Sequence, residues 1–363
     1  AGTPAVFAAA PGENRLVVLI LRGAMDGIGV FAPYGDRDYA ALRPRIALGP
    51  GDGLIDLDGR FGMHASLAPL VPLWRAGEMA AVHAVSTPYR GKRSHFDGQD
   101  ILEAGVADIG AARDGWLNRA LGHIGEVGGE RAIAVGREDM LLMRGARKTR
   151  SWSPGVKLAL ENDERALLQM IYARDPIFAD AAATAEALSE VGGGGGGVEG
   201  RIGKLAHYAA ERLKAEARIA AFSVGGWDTH ANQPYAVQKP LRELALAVTT
   251  LKSRLGDVWG RTLIVAMTEF GRTARENGNR GTDHGTGGAA VLAGGVLKGG
   301  RVFGAWPGIG EGDLYEGRDL MPTEDVRRYP AWALAALFGA ERTALERDVF
   351  PGLDMGDRPG FVA

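Results

Sequence analysis

RLVVLIL, from Arg15 to Leu21, is an unbroken run of mostly branched apolar residues. A run without polar alternation is typical of a parallel strand that is buried on both faces. The segment that follows, RGAMDG from Arg22 to Gly27, is rich in small residues and indicates a turn. Ligands bind at the carboxyl ends of strands in open α/β sheets, so this turn lies where a functional site is expected.

Similar apolar runs recur along the chain and predict further buried strands. They cover residues 79–85, 131–135, 219–224, 262–267 and 289–293. Helical spacing predicts helices over residues 66–76, 97–104, 114–124, 202–216 and 237–255, with two more over 158–188. Strands that alternate with helices predict an α/β fold, a three-layer α/β/α sandwich with a mostly parallel central sheet.

The chain of 363 residues is 46% hydrophobic and can bury a large core. Length alone permits one elaborated α/β domain or two smaller ones. Six consecutive glycines, 192–197, have no side chains to pack. We interpret them as a flexible loop within a single domain over residues 1–363, because strand patterns resume directly afterwards. An interdomain linker is the alternative.

Composition excludes several classes of site and partner. The chain has no cysteine, which excludes disulfides, thiolate metal sites and cysteine nucleophiles, including the cysteine-derived nucleophile of sulfatases. A net charge of −2 with scattered basic residues argues against a nucleic-acid partner. No apolar run reaches the roughly 18 residues of a transmembrane segment. The opening AGTPAVFAAAPG is typical of the start left by signal-peptide removal, with simple trimming as the alternative.

Acidic and imidazole side chains follow several of the strands. Without thiolates, these are the ligands that a divalent cation requires, and a bound cation relieves the repulsion between clustered acids. The candidate metal ligands are Asp26, Asp228, His230, Glu269, Asp283 and His284. One or two divalent ions, Zn, Mn, Ca or Mg, are therefore expected.

Each candidate also has an ordinary structural interpretation. Asp-Gly at Asp26 is a common turn, and Asp228 can form an Asx turn with an incidental histidine beside it. Glu269 can pair with Arg272 or Arg275. Asp283 and His284 can be polar residues of a glycine-rich loop. The remaining histidines, His64, His83, His123 and His207, are interpreted as structural.

The segment RSHFD contains the candidate catalytic residues, Ser94 and His95. Its pattern resembles a helix start with Ser94 at the N-cap and Asp97 three residues later. A hydroxyl in the positive field of a helix N-terminus can act as a nucleophile, and a coordinating cation lowers its pKa further. A plain helix cap explains the same pattern. Arg22 and Arg93 are candidates for binding an oxyanion.

Several of these segments together resemble the DUF1501 family, whose members are often exported by the twin-arginine route and are grouped with the alkaline phosphatase-like superfamily. The resemblance extends from Leu16 to about Pro307, and GGWDTHANQ and TEFGRT are its most specific parts. The other segments are LRGAMDG, VHAVSTPYRGKRSHFDGQD, DGWLNRA and GTDHGTGG, and TEFGRT itself is the start of the longer segment TEFGRTARENG. The family itself has no established reaction, so the superfamily supplies the expected chemistry.

The resemblance implies roles for the candidate residues. An early metal-binding aspartate would be Asp26, a nucleophile at a helix start Ser94, and a later histidine in a glycine-rich loop His284. Asp228 and His230 would form a ligand pair, although their Asp-x-His spacing is shorter than the usual Asp-x-x-x-His. An Asp-His pair of the superfamily is here Glu269-Phe270, so one imidazole is lost. His95 or Asp283 would have to replace it.

The resulting hypothesis is a periplasmic or secreted, metal-dependent hydrolase of phosphate or, second, sulfate esters, acting on a small-molecule or glycan substrate. Two alternatives remain. The first is a secreted binding or assembly protein on the same scaffold without turnover, which the lost imidazole at Phe270 favours. The second is a metal-dependent mutase or lyase acting on a phosphorylated sugar. The sequence does not predict the oligomeric state.

Overall fold

The computed structural model describes residues 13–124, 132–135, 140–152, 200–215 and 217–362. The two helices expected over 158–188 and the glycine loop at 192–197 lie outside the described residues. Within the described ranges, no helix combines the length and apolar character needed to cross a membrane.

The strands of the described residues are short to medium in length. They are β1 (Arg15–Arg22), β2 (Phe31–Ala32), β3 (Ile55–Asp56), β4 (Gly62–Met63), β5 (Met79–Ser86), β6 (Ala132–Val135), β7 (Arg150–Trp152), β8 (Ile219–Gly225), β9 (Thr262–Met267), β10 (Gly288–Ala293), β11 (Val302–Phe303) and β12 (Glu324–Asp325).

Helices fill much of the chain between them. They are α1 (Gly27–Val30), α2 (Tyr39–Leu42), α3 (Val71–Arg75), α4 (His95–Ala104), α5 (Trp116–Ala120), α6 (Arg201–Lys214), α7 (Gln233–Ala236), α8 (Gln238–Leu255), α9 (Arg328–Phe338) and α10 (Arg342–Ala344). Short 3-10 turns cover Pro50–Asp52, Ala65–Leu70, Leu141–Met143, Gly256–Arg261 and Glu311–Asp313, and a π-helical turn covers Leu345–Val349.

The main sheet has the strand order β11-β5-β10-β9-β1-β8-β6-β7, and β12 also pairs with β5. Strand β1 is parallel to both of its neighbours, β8 and β9. Strand β10 is antiparallel to β9 and to β5, so β5 again runs in the direction of β1. The carboxyl ends of β1, β5, β8 and β9 therefore lie at one edge of the sheet, where parallel α/β sheets bind ligands.

Both faces of the sheet are covered. In β1, Val17, Leu19 and Leu21 pack on one side in a core shared with α6 and α8, while Leu16 and Val18 pack on the other with α5 and α9. Residues on opposite sides alternate, because successive side chains of a strand point to opposite faces. The expected three-layer α/β/α architecture with a mostly parallel sheet is confirmed.

Most expected elements are present, with changes of length or type. The helix expected over residues 114–124 is shortened to α5, and Pro69 and Pro72 divide the one expected over 66–76 into a 3-10 turn and α3. Helix α9 and the small β2-β4-β3 sheet were not predicted. The strand before residues 153–199, β7, and the next strand after them, β8, both belong to the main sheet. The extent of one domain over residues 1–363 stays a prediction.

His83 lies in β5 and is fully enclosed, as the sequence suggested for a structural histidine. Its Nε2 lies 3.1 Å from the Phe31 carbonyl oxygen, and its Nδ1 accepts a hydrogen bond from the Ala84 amide. The ring is packed edge-on against Trp306. Burial lowers the pKa of His83 to about 4 from its ordinary 6.5. The folded protein therefore keeps this imidazole neutral.

We expect His83 to make the protein sensitive to acid. The unfolded chain binds a proton here near pH 6.5 and the folded chain only near pH 4, so stability present above pH 6.5 is lost as the pH falls towards 4. The loss amounts to about 3 kcal/mol at pH 4. Urea unfolding of wild type and His83→Gln at pH 7 and pH 4 measures it. The variant should lose less stability between the two pH values, and His207→Gln serves as the control. Identical losses in wild type and His83→Gln would contradict the assignment.

Candidate metal centre

The candidate residues gather at the carboxyl edge of the sheet. His95 is the first residue of α4, which follows β5. Asp228 and His230 lie in the loop after β8, while Glu269, Asp283 and His284 belong to the connection between β9 and β10. Three separate segments of the chain thus contribute to one site, as expected where parallel strands end together.

Glycines allow the loops of the β9–β10 connection to pack closely. A Cβ on Gly271 would lie 1.8 Å from the carbonyl oxygen of Gly287, and one on Gly285 would lie 2.3 Å from the carbonyl carbon of Arg272. No larger side chain fits at either position without moving backbone. This contact keeps the segment carrying His284 against the segment carrying Glu269.

Ser94 begins α4 in extended geometry, with φ −85° and ψ 128°. Its hydroxyl oxygen accepts a hydrogen bond of 3.4 Å from the Asp97 amide, and its own amide donates to the Tyr89 hydroxyl at 2.9 Å. The helix-cap interpretation of Ser94 is therefore confirmed. Its role as a nucleophile stays a prediction. The cap fixes the start of the helix and with it the backbone position of His95.

Three imidazoles converge on one carboxylate oxygen. The Oδ1 atom of Asp228 lies 3.0 Å from the Nε2 of His230, 3.2 Å from that of His284 and 3.4 Å from that of His95. The Nε2 atoms of His230 and His284 are themselves 2.9 Å apart. Among the described residues, one group, His95, Asp228 and His284, brings its ligand atoms within 4.8 Å of one another, and His230 contacts two of its members.

The other ring nitrogen of each histidine faces a hydrogen-bond acceptor. The Nδ1 of His95 lies 2.8 Å from Glu269 Oε1, and that of His284 lies 2.8 Å from the carbonyl oxygen of Arg93. The Nδ1 of His230 lies 3.3 Å from Asp283 Oδ1. Carboxylate and carbonyl oxygens only accept, so each Nδ1 carries the proton and each neutral ring presents a lone pair at Nε2.

Lone pairs of three rings and a carboxylate oxygen directed at one another repel unless a cation lies between them. The Nε2 of His95 is buried and has no hydrogen-bond partner, as a metal ligand requires. Bonds of about 2.0 Å in a tetrahedral zinc site place neighbouring ligand atoms about 3.3 Å apart. The distances of 2.9 to 3.4 Å among these atoms agree with that spacing. These residues can therefore hold a divalent ion.

Asp228 stays ionised at neutral pH. Burial opposes its ionisation, but the hydrogen bond and the positive charge of Arg272 outweigh it and lower the pKa of Asp228 to about 2. The Nη2 of Arg272 lies 2.5 Å from Asp228 Oδ1, and the guanidinium is enclosed and bound to the carbonyl oxygens of Gly23 and Ala24. The buried guanidinium of Arg272 thus fixes the position of the partly exposed Asp228 carboxylate.

The histidines of the site have different proton affinities. The hydrogen bond to Glu269 raises the pKa of His95 despite burial, which acts in the opposite direction. Burial lowers the pKa of His284, and the neighbouring positive charge of Arg272 adds to this. His284 is therefore already neutral, the form that binds a metal, under conditions where His95 is still protonated.

Glu269 positions His95 in this geometry. It is fully buried, and its Oε1 accepts hydrogen bonds from the Gly23 amide at 2.9 Å, from Gln99 Nε2 at 3.2 Å and from His95 Nδ1 at 2.8 Å. Burial opposes its ionisation, but these hydrogen bonds keep its pKa below the ordinary value. The structure therefore places Glu269 behind His95, and the predicted role of Glu269 as a metal ligand stays a prediction. The alternative pairing of Glu269 with Arg272 is wrong, since Arg272 binds Asp228.

Asp283 lies behind His230 in a similar way. Its Oδ1 accepts a hydrogen bond of 3.0 Å from Asn277 Nδ2 as well as facing the His230 ring. Its pKa is lowered chiefly by the hydrogen bond from Asn277. Asn277 also donates to the His230 carbonyl oxygen, so it joins the two loops. Asn277 is not among the residues predicted from the sequence, because an asparagine in a glycine-rich loop is ordinary.

Asp26 is not brought into this cluster. Its side chain is buried, and both oxygens are bound by Arg43, with distances of 2.5 and 3.0 Å to the guanidinium nitrogens. The amide of Gln233 donates a further hydrogen bond to Oδ2. Burial opposes ionisation of Asp26, but the charge of Arg43 outweighs it and lowers the pKa. The Asp26 carboxylate is thus bound by Arg43 and Gln233 in the core. This geometry does not support its predicted role as a metal ligand.

The two arginines considered for oxyanion binding are engaged elsewhere. The guanidinium of Arg22 binds Glu103 at 2.7 Å and Gln99 at 2.7 Å. That of Arg93 binds Asp319 at 2.9 Å and Glu316 at 3.3 Å. Arg93 contributes its backbone to the site instead, through the carbonyl oxygen that fixes His284.

We expect Glu269→Gln to weaken metal binding by about 10- to 100-fold, the usual effect of removing a carboxylate behind a histidine ligand. The amide can donate to His95 Nδ1, which would move the ring proton to Nε2, the ligand atom. A competition titration with a zinc chelator at pH 7.5 measures the affinity. Glu211→Gln, at the exposed ion pair with Lys214 in α6, is the matched control. An affinity equal to wild type in Glu269→Gln would contradict the positioning role.

The site lies within a segment that matches a known family. Residues 155–330 match the family described as "Protein of unknown function (DUF1501)". The DUF1501 resemblance is confirmed. The matched DUF1501 segment includes Asp228, His230, Glu269 and His284, whereas Ser94 and His95 precede it. No curated protein matches the chain.

Solved structures are similar to this chain at low identity. The crystal structure of Ps i-CgsB in complex with k-i-k-neocarrahexaose has 12% identity and a TM-score of 0.43, over 91% of this chain and 72% of that chain. The C-terminal periplasmic domain of EcEptC from Escherichia coli, in complex with Zn, has 8% identity and a TM-score of 0.38, over 78% and 73%. The lipoteichoic acid synthase LtaP from Listeria monocytogenes has 10% identity and a TM-score of 0.35, over 98% and 76%. These likenesses carry no activity over to this chain.

Proposed function

We propose that this protein is an exported, metal-dependent hydrolase of phosphate esters, with sulfate esters as the second substrate class. The observation that supports it is the convergence of the Nε2 atoms of His95, His230 and His284 on the Asp228 carboxylate. Three imidazoles and a carboxylate are a ligand set typical of zinc sites. They lie at the edge of the sheet where α/β proteins bind ligands. Export and the alkaline phosphatase-like assignment are parts of this proposal.

The ligand chemistry favours zinc, or manganese, as the resident ion. Imidazole nitrogens suit zinc and other transition metals, whereas calcium and magnesium prefer sets made of oxygen atoms. A single ion is proposed, because Asp26 and Glu269, which would have supplied a second site, are bound to Arg43 and His95.

A bound ion would supply Lewis-acid stabilisation of an anionic ester and lower the pKa of a nucleophilic hydroxyl or water. The protein's own residues prepare the site for it. Glu269, Asp283 and the Arg93 carbonyl hold the three rings in one tautomer, so little reorganisation is needed. The side chains of Asp228 and His230 are nearly half exposed, which leaves an approach for the ester.

Ser94 is the proposed nucleophile, since it precedes His95 directly and starts α4. Ser94→Ala should lower the free energy of unfolding by about 1 kcal/mol through loss of the cap and should abolish turnover. Ser94→Asn separates these effects, because asparagine caps a helix but offers no hydroxyl. Turnover of phosphate and sulfate esters and urea unfolding measure the two. Full activity in Ser94→Asn would exclude Ser94 as the nucleophile and leave it the role of helix cap alone.

The test of the whole proposal is metal content combined with an ester screen. Purified protein is analysed for bound metals, and a panel of aryl phosphate and sulfate esters is tested with and without chelator. We expect about one equivalent of zinc or manganese and turnover that the chelator removes. Metal without turnover would support the binding or assembly protein, and isomerised or eliminated products would indicate a mutase or lyase. Protein that binds no metal would overturn the proposal.

A further inference from the structure

A second feature of the described residues lies on another face of α4. A polar cavity of about 400 Å³ opens there, within the size range of small-ligand sites. Phe96, Gln99 and Glu103 of α4 are spaced three and four residues apart and line it together. Arg22, at the end of β1, forms part of the wall. We call this space the arginine cavity.

The arginine cavity has an excess of positive charge. Arg22, Arg113 and Arg144 line it against two acids, Asp100 and Glu103. Glu103 is buried and bound to Arg22 at 2.7 Å, and burial raises its pKa. Arg113 is exposed and has no hydrogen-bonded or ionic partner among the described residues. Arginine binds sulfate, phosphate and carboxylate groups through pairs of parallel hydrogen bonds, so Arg113 is available for an anionic group.

An aromatic ring stands at the same cavity. Phe96 is 85% exposed, although it is a large apolar residue in the first turn of α4. Its ring lines the arginine cavity and is open to contact by a ligand with an apolar face. Phe96 is also the residue directly after His95 in the chain.

Hydrogen bonds connect the arginine cavity with the metal centre. Gln99 accepts from Arg22 at 2.7 Å and donates to Glu269 at 3.2 Å, and Glu269 binds His95. The cavity wall and the ligand histidine are thus joined through two side chains. A ligand long enough to occupy both sites would lie across the first turn of α4.

We propose that the arginine cavity binds a negatively charged sugar unit of an acidic oligosaccharide. Its anionic substituent pairs with Arg113, and the apolar face of the sugar ring stacks on Phe96. This inference rests on the proposed function in one respect: the ester to be cleaved belongs to a neighbouring unit of the same oligosaccharide, at the metal centre. With two binding positions, the substrate class is an extended, multiply charged glycan and not a small monoester.

The experiment measures binding at the cavity in the absence of a functional metal centre. A tetrasaccharide carrying two sulfate groups is titrated calorimetrically into the full chain and into His284→Ala, with the unsulfated tetrasaccharide and inorganic sulfate as separate probes. Arg113→Glu and Phe96→Ala test the two contacts. Arg37→Glu is the matched control, since Arg37 is highly exposed and lies in another part of the chain.

We expect His284→Ala to bind the sulfated tetrasaccharide, and Arg113→Glu to weaken that binding by about 10-fold, the value of a charge-assisted hydrogen bond. Phe96→Ala should weaken it by about 5-fold. The unsulfated sugar and inorganic sulfate should each bind at least about 10-fold more weakly. Unchanged affinity in both variants, binding equal to that of inorganic sulfate, or loss of binding in His284→Ala would overturn the inference. Retained binding without hydrolysis would overturn the proposed function alone.

Discussion

Replacing His284 with alanine is expected to reduce metal affinity by more than about 100-fold, beyond the effect of removing a residue behind a ligand. The Nε2 of His284 lies beside both Asp228 Oδ1 and His230 Nε2, so its loss opens the middle of the site. Turnover should fall by about 1,000-fold or more, because the ion stabilises the charge of the transition state. Metal analysis after dialysis and initial rates at saturating substrate measure the two effects.

The control for this variant is His123→Ala. His123 is another partly exposed histidine next to a carboxylate, Asp348, and it belongs to none of the loops of the metal centre. It should keep wild-type metal content. Added imidazole should restore part of the metal binding of His284→Ala, because it can fill the space of the missing ring. A His284→Ala protein that keeps its metal and its rate would exclude this site.

Asp26→Asn is expected to lower the free energy of unfolding by about 3 to 5 kcal/mol. The change keeps the size of the side chain but removes the charge that neutralises Arg43, which is only 1% exposed. An unpaired guanidinium in the core loses its hydration without compensation. Urea unfolding at pH 7.5 measures the loss, while metal content per folded molecule should stay at the wild-type value.

A double variant shows whether the stability loss of Asp26→Asn comes from the unpaired charge of Arg43 or from loss of the ion pair itself. Asp26→Leu with Arg43→Met replaces both partners by apolar groups and should recover most of the stability lost in Asp26→Asn, since well-packed apolar replacements of buried ion pairs are often neutral. If Asp26→Asn instead lost its metal and kept its stability, Asp26 would be a ligand after all.

The sheet could be predicted from the sequence because its central strands are buried on both faces. Strands β1 and β9 contain unbroken apolar runs, the run in β5 is interrupted at His83, and the interior residues of all three are enclosed. The polar clusters after them were expected to meet, since parallel strands place their carboxyl ends at one edge. His95, Asp228, His230 and His284 indeed come together, although the pairing partner of each ring nitrogen depends on loop geometry that no periodic pattern encodes.

Long-range pairing explains what the sequence did not predict. Nothing in the spacing of Arg43 identifies it as the partner of Asp26, 17 residues earlier, because the segment between them has no regular pattern. The position of Glu269 just after a strand predicts a metal ligand. Its Oε1 atom accepts hydrogen bonds from Gly23 and Gln99, which belong to other parts of the chain and could not be identified from the sequence. The reversed direction of β10 also had no local signal, since buried strands of either direction are apolar.

The distance along the chain between the contributors to the metal centre has a kinetic consequence. His95 and Glu269 are 174 residues apart and meet only after β5, β9 and β1 have taken their places in the sheet. An ion bound at the finished centre would contribute little to the folding transition state and would act after it. It would lengthen the lifetime of the folded chain by slowing unfolding, while the rate of folding stays the same.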